Sequence, residues 1–154
     1  AGYMGETGSP GTFAAKSTGN RIFFSQFTPT ATGPVTYIHF VEFSADTAVR
    51  AGVFDADGNL LASSEEFVGE NSKLGREVHG ALNTPVCLEE GRSYYLGVWV
   101  GEGAWGGTAY GGSGNGTYYN SDRTSFPTTL NLPGDRESGR VSIRITVNND
   151  QNVF

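Results

Sequence analysis

Ser93–Asn120 reads SYYLGVWVGEGAWGGTAYGGSGNGTYYN, and its opening run, Ser93–Val100, sets the period for the whole chain. In an extended segment Tyr94, Leu96, Val98 and Val100 share one face, while Tyr95, Gly97 and Trp99 share the other. The first face is the predicted core. The full stretch holds both tryptophans, five of the seven tyrosines and nine glycines, with a single charge, Glu102. Glycine admits tight turns, and large aromatic rings supply contact area at low entropic expense. The combination predicts strands joined by turns and edged with rings suited to gripping a partner.

The same period recurs outward in both directions. Asn20–Thr28 sets Ile22 and Phe24 against Phe23 and Phe27, and Val35–Phe43 (VTYIHFVEF) is apolar on nearly both faces, as in a central strand. Val49–Phe54 and Asn59–Ser63 flank Asp55-Ala56-Asp57-Gly58, where Asp-Gly is a strong hairpin signal. Arg76–Leu82 precedes Thr84-Pro85 and the turn Glu89–Arg92. Short strands are predicted at Gly107–Tyr110 and Thr117–Asn120, and Gly139–Val147 is predicted to close the set. Glu65–Gly75 is short and polar and reads as a loop. The expected fold is therefore all-β, a two-sheet antiparallel sandwich with jelly-roll topology. Residues 19–147 form the sandwich, 1–18 an N-terminal arm and 148–154 a C-terminal tail. Both end segments lack core-forming alternation and are read as interaction arms.

Composition narrows the functional classes. A chain of 154 residues is long enough to bury one sizeable core without staples. The formal net charge of −6 opposes phosphate binding, so nucleic acid is not an expected partner. No apolar run approaches the length of a membrane-spanning helix, so membrane insertion is not expected. Cys87, the single cysteine, excludes an intrachain disulfide, and within PVCLEE it reads as a small buried hydrophobe. Ala1 fits removal of an initiator methionine or of a signal peptide equally well.

Few residue groups suggest chemistry. Asp55, Asp57, Asn59 and Glu66 approximate the spacing of a calcium loop, but Leu60 stands where such a loop needs glycine. A hairpin turn capped by Asp and Asn is expected there, with no metal and no cofactor. His39 and His79 have no metal-ligand spacing, and His39 in its apolar strand reads as structural. Glu65-Glu66 and Glu89-Glu90 are adjacent in sequence and would point to opposite faces of an extended segment, so neither pair could flank one scissile bond. Glu42 is a lone carboxylate. The chain is therefore expected not to be an enzyme, with no catalytic residues. The candidate binding residues are Tyr95, Trp99, Trp105, Tyr110, Tyr118 and Tyr119. They form either an exposed aromatic shelf or, if the 101–135 segment covers that face, a second layer of packing with Trp99 beneath it.

The order of several motifs resembles a large group of jelly-roll modules found in bacteriophage structural proteins and prokaryotic surface proteins. The matching elements are Gly2-Tyr3 with Gly8, NRIFFSQFT at 20–28, Gly33-Pro34-Val35-Thr36, VRAGVFDADGNLLASS at 49–64, LNTPVCLEEGRSYYLGVWV at 82–100 and Ser125-Phe126-Pro127. The resemblance implies a jelly roll with a display role and carries over no ligand. Together with the residues it leads to two expectations. One is a non-enzymatic structural module on a virion surface, such as a capsid decoration, knob or fibre-head protein. It would self-associate, with a trimer favoured, and would meet other virion or surface proteins. The other is a carbohydrate-binding module or adhesin domain of a secreted prokaryotic protein, with glycans as partners.

Overall fold

The structure, a computed structural model, describes the backbone of residues 2–5, 10–15, 19–41, 44–45, 47–70, 77–102, 105–141 and 143–147, and the side chains of 19–40, 47–70, 79–102 and 118–135. In chain order the strands are β1 (Gly2–Gly5), β2 (Pro10–Ala15), β3 (Arg21–Phe27), β4 (Gly33–Val41), β5 (Ser44–Ala45), β6 (Ala48–Phe54) and β7 (Leu60–Ser63). They continue with β8 (Phe67–Val68), β9 (Glu77–Leu88), β10 (Tyr94–Val100), β11 (Trp105–Asn120), β12 (Asp135–Val141) and β13 (Ile143–Val147). There is no helix among the described residues. One sheet has four strands in the order β1-β13-β4-β9. The other has nine: β12-β11-β3-β10-β6-β7 in sequence, with β2 and β5 paired to β11 and β8 paired to β6. The pairings are antiparallel in both. The all-β, two-sheet expectation is met.

The core between the sheets follows the alternation read from the sequence. Val35, Ile38 and Phe40 of β4 and Leu88 of β9 meet Phe23 and Phe27 of β3, Val49 and Val53 of β6, and Leu96 and Val98 of β10. Burying residues of this size stabilises the fold by about 1.5–3 kcal/mol each relative to exposure. The other faces of β3, β10 and β6 are apolar too, and carry Ile22, Phe24, Trp99 and Phe54. Residues 121–134 lie over them as a third, irregular layer. Leu130 is buried in that second cluster, with Phe126 and Leu132 packed beside it. The Phe126 ring stacks on Phe54 at 6.0 Å, and the Arg50 guanidinium lies 4.8 Å above its centre.

An irregular layer has no ladder of its own, so its backbone groups need partners elsewhere. The sheet supplies them. Leu60 N donates to Thr128 O at 2.9 Å, Leu130 N to Gly58 O at 2.7 Å, and Arg123 N to Asn20 O at 2.8 Å. Asn120, at the end of β11, accepts from Asn131 N at 2.8 Å and donates to Asn131 O at 2.9 Å. The Asp55–Gly58 turn forms as predicted. Asp55 Oδ1 accepts from the backbone N–H of Asp57 and of Asn59, both at 2.9 Å, and Gly58 takes a φ of 88°.

Several local expectations change. The two short strands predicted at 107–110 and 117–120 are one strand, β11. It runs through its glycines because both edges are paired: Tyr118 opposes Arg136 and Phe24, and Tyr110 opposes Val141 and Thr12. The single closing strand predicted at 139–147 is divided between the two sheets as β12 and β13. β9 extends past Pro85 to Leu88 by leaving the β4 register midway. There it turns toward β7, where Ser64 bridges Leu82 and Ser63 N donates to Asn83 Oδ1 at 3.1 Å. The segment 1–18, read as an N-terminal interaction arm, contains β1, hydrogen-bonded to β13, and β2, hydrogen-bonded to β11. The tail 148–154 and Glu42 lie outside the described residues. Cys87 is exposed, not buried, because it stands between the inward-facing Val86 and Leu88 on an alternating strand.

Two glycines test how tightly the third layer is seated. Gly134 and Gly91 both have positive φ, 79° and 82°. A Cβ at Gly91 would meet nothing within 4 Å, whereas one at Gly134 would lie 2.8 Å from Cζ of the fully buried Phe24. Gly91→Ala should therefore cost only the backbone strain, about 1–2 kcal/mol. Gly134→Ala should lose a further amount of about 1–3 kcal/mol from overpacking. Chemical denaturation of the two variants measures the difference, and equal losses would mean that the layer is loosely held.

Candidate functional site

Of the six aromatic residues expected at a binding face, the four with described side chains do not converge on one surface. Trp99 is 3% exposed, and its indole Nε1 donates to Arg123 O at 2.8 Å, so the ring packs beneath the 121–134 layer. Of the two arrangements open in the sequence, shelf or cover, the structure has the covered one at this residue. Tyr119 falls on the opposite face of β11 from Tyr118. It packs against the inter-sheet core, 6.0 Å from the Phe23 ring, with the Arg21 guanidinium 4.6 Å above its own. Trp105 and Tyr110 are placed by backbone alone, Trp105 opposite Ala45 and Tyr110 opposite Thr12 and Val141; their side chains lie outside the described residues.

Tyr95 and Tyr118 do come together. Both are half-buried and flank Phe24 on the covered side of the nine-stranded sheet. Tyr95 meets Phe24 edge-on at 5.7 Å, and Tyr118 stacks on it at 6.1 Å. Gly134 crosses the tip of Phe24, so this pair marks the margin of the third layer. Burial raises the Tyr95 phenol above its ordinary pKa of 10.0, and the nearby Tyr118 phenolate raises it further. The margin is thus a small aromatic rim with two hydroxyl-bearing rings.

A second group of rings lies on the four-stranded sheet, and sequence reasoning did not connect them. His39 of β4 stands directly opposite His79 of β9, their ring centres 5.6 Å apart and tilted by 43°. Tyr37, 37% exposed, meets His79 edge-on at 6.0 Å. The cause is the irregularity in β4 and β9. Gly33 through Val35 pair with Leu88 through Val86, and continuing that register would set His39 against Leu82. Beyond the irregularity Tyr37 pairs with Ala81, which brings His79 to His39. The same kink leaves the Thr36 hydroxyl buried without a hydrogen-bond partner. β4 is central in its sheet, as predicted, but it buries one face only: Tyr37 and His39 are on the other.

Beside His79 runs a groove of about 680 Å³, lined by Glu65, Glu66 and Glu70 and by Phe67, Val68 and Leu82 among others. Val68 is 63% exposed there. Among the described residues no group of three or more His, Cys, Asp or Glu side chains is close enough to hold a metal ion. Asp55 satisfies backbone N–H groups in its turn, and Glu89 pairs with Arg92 on the surface at 3.7 Å. These acids are accounted for by local structure. No known family model matches the chain, and no curated protein does.

The Tyr95 phenol makes a pH prediction. In the unfolded chain it ionises near 10, and in the fold only at higher pH. Over that interval the unfolded state gives up its proton first, so stability should fall as pH rises above about 10. Thermal melts between about pH 8 and 11 should show a shallower alkaline decline in Tyr95→Phe than in the parent. Identical slopes would show that Tyr95 is not burdened by its surroundings.

Proposed function

We propose that the protein is a non-enzymatic structural and binding module of jelly-roll topology, displayed on a virion surface, where it self-associates. The observation that carries this reading is the strand order. With β2, β5, β8, β11 and β12 set aside, eight strands remain. One sheet then reads first, last, third, sixth (β1-β13-β4-β9), and it faces second, seventh, fourth, fifth (β3-β10-β6-β7). Two nested Greek keys give that order, and jelly rolls of this kind recur in viral capsid and lectin domains. The motif order of the sequence supports the same reading. The nine-stranded sheet is enlarged by β11 and β12, which extend it beyond β3, and β12 ends its strand order, so a neighbouring copy would pair there.

A second reading, a carbohydrate-binding module, is favoured by one observation: the row Tyr37, His79, His39 on a sheet face. Sugar C–H faces pack on amphipathic rings held side by side. The two readings separate on stoichiometry and on Tyr37. A decoration or fibre-head module should sediment as an oligomer, a trimer being favoured, and Tyr37→Ala should leave any glycan response unchanged. A carbohydrate-binding module should sediment as a monomer and should lose about 1–3 kcal/mol of glycan binding on Tyr37→Ala, measured by calorimetry. A monomer that binds no glycan would overturn both.

A further inference from the structure

We propose that His39 and His79 form a chelating site for a divalent late transition-metal ion of the zinc, nickel or copper(II) class. The two residues are forty positions apart in sequence, yet antiparallel pairing sets them directly opposite each other. Their ring centres are 5.6 Å apart. Two imidazole nitrogens, each about 2.0–2.1 Å from a zinc ion, place their ring centres about 4.5–5.3 Å apart for bond angles between square and tetrahedral. The observed separation is a few tenths of an ångström wider than that range, a gap that small side-chain rotations close. Adjacent strands hold the two Cα atoms rigidly, so little backbone rearrangement is needed to close it.

The surroundings select the class of ion. Calcium and magnesium need several oxygen ligands. Imidazole nitrogen suits zinc, copper and nickel instead. Among the described residues no third acid, cysteine or histidine joins the pair. With these two ligands, water fills the remaining coordination positions, and an ion held in that way exchanges with solvent. His79 is exposed and His39 half-buried, so the ion has access from solvent without opening the fold. This site does not depend on the display reading and stands if that reading fails.

The test is titration of the full chain, carrying no polyhistidine tag, with zinc chloride, and separately with nickel and calcium chlorides. Calorimetry gives the stoichiometry, and imidazole NMR resonances give the location. Zinc and nickel should bind at one equivalent and shift the ring signals of both histidines, while calcium should do neither. The second imidazole binds at high effective concentration, so His79→Gln should weaken zinc binding by at least about a hundredfold. His39→Ala should do the same. His79 is exposed, so His79→Gln keeps the fold and carries the test if His39→Ala does not. The proposal is overturned if no saturable response occurs at millimolar zinc, or if His79→Gln binds as tightly as the parent. It is also overturned if binding disappears on replacing Glu65, Glu66 and Glu70 by Gln while the histidine resonances never move.

Discussion

The central strands of the larger sheet are apolar on both faces, and the rest of the architecture answers that constraint. In β10 one face gives Tyr94, Leu96, Val98 and Val100 to the space between the sheets, and the other carries Trp99. β3 divides in the same way between Phe23 with Phe27 and Ile22 with Phe24. A sandwich of two antiparallel sheets ordinarily leaves each outer face to water. Here the outer face holds four large side chains that would be left wet, and Phe24 and Phe54 alone would each forfeit about 1.5–3 kcal/mol. The segment 121–134 exists as a layer because that surface requires one.

A covering loop brings its own difficulty, since buried backbone groups without partners destabilise about as much as the apolar contact gains. The solution is to spread the ties. The loop is bound to the 55–60 hairpin through Thr128 and Leu130, to the start of β3 through Arg123, and to the end of β11 through Asn120. Trp99 adds a fourth tie through its indole N–H, so the bulkiest ring under the layer also fastens it. Arg50 works from the edge. It donates to Ser64 O at 2.8 Å and Ser63 Oγ at 2.7 Å, and its planar face covers Phe126. One cation thus joins β6, the β7 end and the third layer, with its charge met by oxygens and its stem by carbon.

Much of this was legible in the sequence, and the limits have physical causes. Period-two alternation identified β3, β6 and β10 and the faces of β3 and β10, because a sheet residue buried on one side declares itself every second position. The Asp-Gly turn was legible because its geometry is local. β11 was read as two pieces because glycine carries no alternation, while its strand state comes from pairing on both edges. The strands within 1–18 were not legible for a related reason: β1 and β2 are short and take their order from β13 and β11, far along the chain. Cys87 was read from its apolar neighbours without counting parity. At the candidate site, the association of Tyr95 with Tyr118 followed from the sequence only as membership of one aromatic stretch. The opposite facing of Tyr118 and Tyr119 follows directly from their adjacency. The His39–His79 row had no local signal at all, because it depends on a register change that only the paired strands reveal.

That register change links the architecture to its surface chemistry. β9 must abandon β4 near Leu82 to reach β7 and close one corner between the sheets, and Ser64 and Asn83 make the joint. Leaving and rejoining takes unequal lengths of the two strands: Val35 to Tyr37 on β4 spans two steps, while Val86 to Ala81 on β9 spans five. The odd difference reverses the facing of β4, so Val35 points inward on one side of the kink and Ile38 and Phe40 on the other, while Leu82, Val86 and Leu88 of β9 keep one alternation. It also slides His79 into line with His39. The larger sheet spends its rings on packing beneath a loop. The smaller one, through a joint needed for closure, sets Tyr37 and two imidazoles side by side, with His79 and Tyr37 open to solvent. Rings held in register by backbone pairing and open to solvent are therefore found on the smaller sheet, and not where aromatic residues are densest in sequence.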